Sequence, residues 1–234
     1  MEFKKTAIII AAGSGMGAAA ARKLAADGYH VGILSSSGKG AALAQELGGV
    51  GVTGTNQNQA DIQKLVDLVM ERWGRVDVLV NSVGNGPRAP VLEMSDEDWH
   101  AGLDAYFLNV VRAARVVTPI MVKQGGGSIL NISTAWALEP VDLFPTSAVS
   151  RAGLMSFTKL FVDEYASHGV RMNNVLPGWI NSKPEQAARR TAVPMQRYGT
   201  VEEIAATIAF LAGEGGAYIN GQNIRVDGGL MRSV

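Results

Sequence analysis

The stretch AAGSGMGAAAARKLA, residues 11–25, decides how the rest of the chain is read. TAIIIAA (6–12) leads into it, glycines stand at 13, 15 and 17, and an alanine-rich segment with the look of a helix follows. Lys4 and Lys5 ahead of an apolar run raise the possibility of a signal peptide. The run lasts only about half a dozen residues and passes straight into glycines, so a buried strand is expected instead. Glycines let a backbone come close to a pyrophosphate, and a helix N-terminus behind them offers free N–H groups and a positive dipole end. After the first strand of a parallel sheet, such a loop predicts a dinucleotide site held by Gly13, Ser14, Gly15, Met16 and Gly17.

The same alternation continues outward. Further strands are expected at HVGIL (30–34), VGVT (50–53), VDVLVNS (76–82), SILNIST (128–134), VRMNNVL (170–176) and QNIRV (222–226). Helical patterns such as ADIQKLVDLVMERW and VEEIAATIAFLA separate them. Near-continuous apolar strands between helices indicate a parallel sheet covered on both faces, a doubly wound α/β fold. Ser95 with Asp98 and Thr200 with Glu203 have capping-box spacing and mark two helix starts. Pro177 to Gly199, with Pro184 and Pro194 inside it, is expected to be an irregular lid over the strand ends.

Composition agrees with one domain over residues 1–234: 47% of the residues are hydrophobic, enough for a sizeable core. Lys+Arg and Asp+Glu both number 21, so no net field invites nucleic acid or an anionic membrane. No apolar run approaches the roughly 20 residues of a membrane helix. The absence of cysteine excludes disulfides and thiolate metal sites and suits the cytoplasm, and the three histidines have no metal-ligand partners at suitable spacing.

Together with the loop, VDVLVNSVG (76–84), EDWHAGLDA (97–105), GGSILNIST (126–134), RMNNVLPGWINS (171–182), YGTVEEIAATIAFLA (198–212) and YINGQNIRVDGGL (218–230) resemble the short-chain dehydrogenase/reductase superfamily over nearly the whole chain. The resemblance implies a Rossmann fold, with seven parallel strands in the order 3-2-1-4-5-6-7 and helices on both faces. It also implies an NAD(P) cofactor, a small-molecule carbonyl or alcohol substrate, and a homotetramer or homodimer.

Carried over residue by residue, the resemblance shows departures. Ile10 and Ala11 stand where members open the loop with Thr-Gly. Ser35 and Ser36 replace the acidic residue that takes the adenosine ribose hydroxyls. A 2′-phosphate is then not repelled, and with Lys39 close by NADP is favoured over NAD. Thr55, followed by Asn56, takes the place of the adenine-contacting aspartate. Asn81 and Gly84 keep the first and last members of the Asn-Asn-Ala-Gly signature. Pro177 and Gly178 are intact, with Ile180 and Ser182 at the nicotinamide and phosphate positions.

By the same carry-over the catalytic serine, tyrosine, lysine and asparagine become Thr134, Ser147, Arg151 and Tyr106. The tyrosine of such enzymes exchanges the carbonyl proton, its pKa near 10 drawn down by the lysine charge. A serine hydroxyl is a far weaker acid, and arginine keeps a charge without trading protons near neutral pH. Three readings follow. In the first, a rebuilt oxidoreductase uses Tyr106 as the phenol, Arg151 to lower its pKa, and Thr134 and Ser147 to orient the carbonyl. The second is a catalytically inactive dinucleotide sensor or a structural partner subunit. The third, non-redox lyase chemistry, resembles halohydrin dehalogenases, which keep the tyrosine and give up the glycine loop, the reverse of this chain. Trp136 and Phe144 suggest an apolar or aromatic substrate, Glu139 and Asp142 a cationic or hydroxylated one, and Trp179 a wall beside the nicotinamide.

Overall fold

In β1 (Thr6–Ile10) every residue is buried, because the sheet it centres is covered on both sides. The computed structural model describes residues 4–233. The chain continues through α1 (Gly15–Ala26), β2 (His30–Ser35), α2 (Gly38–Glu46), β3 (Val50–Thr53), α3 (Gln59–Trp73) and β4 (Val78–Asn81). It goes on through α4 (Asp96–Leu103), α5 (Asn109–Lys123), β5 (Gly127–Ile132), α6 (Pro145–Tyr165) and β6 (Val170–Pro177). The last elements are α7 (Ala187–Ala192), α8 (Val201–Ala212) and β7 (Asn223–Val226). The strands form a seven-stranded sheet in the order β3-β2-β1-β4-β5-β6-β7, and each neighbouring pair is parallel.

Alternation along the strands divides the core in two. Ile9, Ile33, Val80 and Leu130 face Ala20 and Leu24 of α1 and Ile204 and Ile208 of α8. Ile8, Ile10, Leu79 and Ile129 face Leu65 of α3, Val117 of α5 and Phe161 of α6. Each buried Ile or Leu contributes about 1.5–3 kcal/mol through water exclusion, so both helical layers are held by the same sheet. Both capping boxes form, Ser95 with Asp98 and Thr200 with Glu203.

Several elements differ from the sequence expectation at their ends. β1 stops at Ile10 because Ala11 takes φ 58°, a left-handed conformation that no strand continues through. β5 stops at Ile132, and Thr134 instead opens a single 3-10 turn at Ala135–Ala137. The irregular 177–199 segment contains α7, and it is pinned by a parallel bridge between Ile180 and Gly199. The helical run over Asp96–Lys123, α4 and α5 with the turn between them, is long and apolar enough by composition to cross a membrane, which the count of uninterrupted apolar residues does not show. Val110, Ala113, Val117 and Met121 of this run are buried against the protein.

One polar feature crosses the apolar sheet. Asn81, Asn131, Asn174 and Asn223 lie in register on β4 to β7. Each amide nitrogen donates to the next carbonyl oxygen, at 2.8, 2.9 and 2.8 Å. Thr158 of α6 joins the ladder by accepting from Asn174 at 3.0 Å. Asn81, expected beside the cofactor, is the first rung, 2% exposed. It lines neither cavity described below, since its amide is used to satisfy Asn131 inside the sheet.

Candidate active site

The C-terminal ends of the strands open onto a cleft with two parts. A smaller cavity of about 320 Å³ lies over β1 to β3, a larger one of about 640 Å³ lies over β4 to β6, and Gly84 borders both.

The glycine loop separates them at the start of α1. Ser14, the N-cap, places no side-chain bond on the helix amides, which leaves the end of α1 open to an anion. Gly15 takes φ +58°, which favours glycine, and Gly17 is tightly enclosed. A Cβ on Gly17 would stand 3.1 Å from the Ala11 carbonyl oxygen and 3.3 Å from Cβ of Ser82. Ala11 keeps the left-handed backbone where the resemblance implies glycine, a strain of about 1–2 kcal/mol.

Gly13, Ser14, Ser35, Ser36, Thr55 and Asn56 all line the smaller cavity, joined by Ser37 and Lys39, and no carboxylate does. Ser35 is 5% exposed, and its hydroxyl lies 3.4 Å from that of Ser37. Asp61 stands behind, accepting the Thr55 amide at 2.8 Å. The Nδ2 of Asn56 is buried without a protein partner. A dinucleotide fits this set. The open end of α1 suits the pyrophosphate, the orphaned Asn56 amide suits the adenosine, and Ser36 with Lys39 suits a 2′-phosphate. Met16, Pro177, Gly178 and Ile180 line the larger cavity, where a nicotinamide would reach from a dinucleotide so placed. Gly15 and Gly17 shape the loop from beneath instead of lining either cavity.

The larger cavity gathers Tyr106, Thr134, Ser147 and Arg151. Proline at its first turn starts α6, which carries Ser147 and Arg151 four residues apart onto the cavity. Thr146 donates to the Pro87 carbonyl oxygen at 3.0 Å and ties the loop after β4 to this helix. Tyr106 sits in a π turn, Asp104–Leu108, that interrupts the helix between α4 and α5. It is 5% exposed, and its hydroxyl accepts the Gly86 amide proton. Gly86 is obligatory there, because a Cβ would come within 2.6 Å of the phenol ring.

Arg151 donates to the Ser133 carbonyl oxygen at 3.1 Å, and its guanidinium carbon lies 4.7 Å from the centre of the Tyr106 ring. Burial pushes its pKa down to about 10, against a smaller upward pull from Tyr106, so it remains a cation at neutral pH. Asn109, on the helix beyond Tyr106, lies outside the cavity, 2% exposed and with its Oδ1 unpaired.

Sequence reasoning did not find Arg88, Lys183, Arg189 or Tyr198, which line the same cavity. They fall in the loop after β4 and in the lid, where no periodicity marks them. Trp136, Phe144 and Trp179 form a wall, with ring centres 5.4 Å apart for Trp136 and Phe144 and 4.4 Å apart for Trp136 and Trp179. Glu139 and Asp142 do not line the cavity. Glu139 instead accepts the amides of Arg232 and Ser233, at 2.6 and 2.5 Å. Its carboxylate is used to hold the C-terminal segment. Among the described residues no group of three or more His, Asp or Glu could hold a metal ion.

The fold agrees with what comparison finds. Residues 10–231 match the family model described as enoyl-(acyl carrier protein) reductase, and the chain belongs to the short-chain dehydrogenase/reductase family. It is 34% identical to the 3-oxoacyl-(acyl-carrier-protein) reductase of Thermotoga maritima, over 97% of this chain and 98% of that protein. Identity is 33% with the 3-oxoacyl-(acyl-carrier-protein) reductase of Synechocystis, over 97% of both chains. With the D-threitol dehydrogenase of Mycolicibacterium smegmatis it is 31%, over 96% of this chain and 92% of that one.

Proposed function

We propose that the protein is an NAD(P)-dependent oxidoreductase that acts on a small carbonyl or alcohol, with a proton-transfer site rebuilt around Tyr106. The observation that carries this reading is the Arg151 guanidinium 4.7 Å from the Tyr106 ring centre, at the floor of the larger cavity. The names of the related reductases and the dehydrogenase support the reaction class. NADP is the proposed cofactor, because Ser35, Ser36 and Lys39 offer hydroxyls and a cation where a carboxylate would exclude the 2′-phosphate.

Bound here, the nicotinamide supplies or accepts a hydride. Ser147 and Thr134, 7% exposed each, hold the carbonyl oxygen with their hydroxyls. Tyr106 gives that oxygen its proton. The Gly86 amide, which already donates to the phenol oxygen, stabilises the phenolate left behind. Arg151 adds a positive charge over the ring for the same purpose and holds no exchangeable proton near neutral pH. The four positions at which family members carry serine, tyrosine, lysine and asparagine thus keep a hydroxyl, a cation and a phenol in a new arrangement.

Leu103, Val149 and Leu160 leave 41%, 60% and 70% of their surfaces exposed on α4 and α6. That supports the homodimer or homotetramer reading, and the lack of cysteine supports a cytoplasmic setting. The test is NADPH oxidation over a panel of carbonyl compounds, with NADPH binding followed by calorimetry. Tyr106→Phe is expected to lower kcat by about 10²–10⁴ with binding unchanged. Unchanged kcat overturns the role of Tyr106, and tight NADPH binding without turnover in the unaltered protein identifies a sensor.

A further inference from the structure

The larger cavity is one-sided in charge. Arg88, Arg151, Lys183 and Arg189 line it, and no aspartate or glutamate does, in a chain whose acids and bases are equal in number. None of the four takes part in an ion pair among the described residues. Two of these cations are set apart. Lys183 follows Ser182, whose Cβ lies 3.6 Å from where a Cβ on Gly15 would stand, so its backbone is beside the glycine loop and away from the aromatic wall's two stacked arginines. Arg151 is committed to Tyr106 and the Ser133 carbonyl.

Arg88 and Arg189 are placed differently, on the aromatic wall. The guanidinium carbon of Arg88 lies 4.6 Å from the Phe144 ring centre, and that of Arg189 lies 4.2 Å from the Trp179 ring. A guanidinium laid on a ring face turns its N–H edge outward, where it can make a forked pair with a planar oxyanion. Arg88 spends one nitrogen on Asn85 Oδ1, at 3.2 Å, and no side-chain hydrogen bond engages Arg189 among the described residues. Their positive charge at the mouth of an otherwise apolar wall raises the local concentration of anions.

Building on the oxidoreductase reading, we infer that the substrate is a free carboxylic acid with a planar apolar body. The body lies along Trp136, Phe144 and Trp179, the carboxylate is gripped by Arg88 and Arg189, and the carbonyl or alcohol end reaches Tyr106. Carrier-bound thioesters, whose acyl carboxylate is masked, lack the group these arginines would hold.

The experiment uses para-acetylbenzoate, its methyl ester, and acetophenone. NADPH oxidation gives kcat and KM, and quenching of tryptophan fluorescence with oxidised NADP present gives binding without turnover. The acid is expected to bind about tenfold or more tighter than the ester, the scale of a charge-assisted pair. Arg88→Met with Arg189→Met should remove that preference, so that acid and ester bind alike, while Arg189→Lys should retain part of it. Equal binding of acid and ester, or a preference that survives the double substitution, overturns the inference. Acid binding that depends on the arginines but yields no NADPH oxidation upholds the ligand class and counts against the oxidoreductase reading instead. Turnover of neutral ketones with no acid preference does the reverse.

Discussion

The two parts of the cleft present polar groups in different ways. Over β1 to β3 the groups come from short consecutive runs, residues 13–14, 34–37 and 54–56, with Lys39 beside them, and small hydroxyls are frequent among them. Over β4 to β6 they come one at a time from loops and helices far apart in the chain, and large aromatic and cationic side chains dominate. A site made by local backbone shape tolerates little change in bulk and much change in chemistry. Where single side chains converge, the tolerance is reversed. That is how the proposed phenol can sit on Tyr106 while Ser147 has a hydroxyl too weak for the task.

Tyr106→Phe tests the second part most severely. The phenylalanine keeps the ring under Arg151 and removes only the hydroxyl, so kcat should fall by about 10²–10⁴ with NADPH affinity unaltered, and the Gly86 amide left without its acceptor should cost about 1–3 kcal/mol of stability. Gly17→Ala tests the first part by bulk alone. The added Cβ, 3.1 Å from the Ala11 oxygen and from Cα of Ala12, should cost about 1–3 kcal/mol of stability in urea unfolding. It should also weaken NADPH binding about tenfold or more by displacing the loop. A fully active Gly17→Ala protein would mean that the loop is less tightly defined than its contacts indicate.

Lys39→Glu changes chemistry without bulk in the same region. NADPH affinity should fall about tenfold with NADH affinity held, which calorimetry with both nucleotides measures. Equal losses for the two would show that Lys39 does not face the 2′-phosphate. The smallest effect is expected at the base of the lid. There Glu203 binds Arg197 through two hydrogen bonds, at 2.9 and 2.6 Å, and accepts the Thr200 amide at 2.8 Å. These partners lower its pKa from 4.5 to about 2, the arginine most of all. A depressed carboxyl contributes stability above its unfolded value and loses it as pH falls from 4.5 towards 2. The pair is 45% and 44% exposed, so screening holds the gain below about 1 kcal/mol. Urea midpoints for wild type and Glu203→Gln should differ near pH 6, converge near pH 2, and differ less in high salt.

Much of this was legible in the residues. Continuous apolar strands, two capping boxes and the glycine loop encode the sheet and its helices through short-range periodicity. The counts that place Thr134, Ser147 and Arg151 on one cavity succeed because strand β5 and helix α6 are rigid rulers. Asn81 lines neither cavity and donates to Asn131, because sequence shows an amide at a strand end but not which neighbour it meets. Three more asparagines in register on β5, β6 and β7 settle that.

By itself, then, the sequence determined the doubly wound fold, the glycine loop between the first strand and the first helix, and which hydroxyls and cations stand at the strand ends, since these follow from spacing along one or two adjoining elements. Only the tertiary structure decided that Arg151 lies over the Tyr106 ring, that Gly86 leaves room for that ring, and that Arg88 and Arg189 flank an aromatic wall. Those contacts join segments tens of residues apart. Their geometry depends on how β4, α6 and the lid pack against one another, which no periodicity along a single element records.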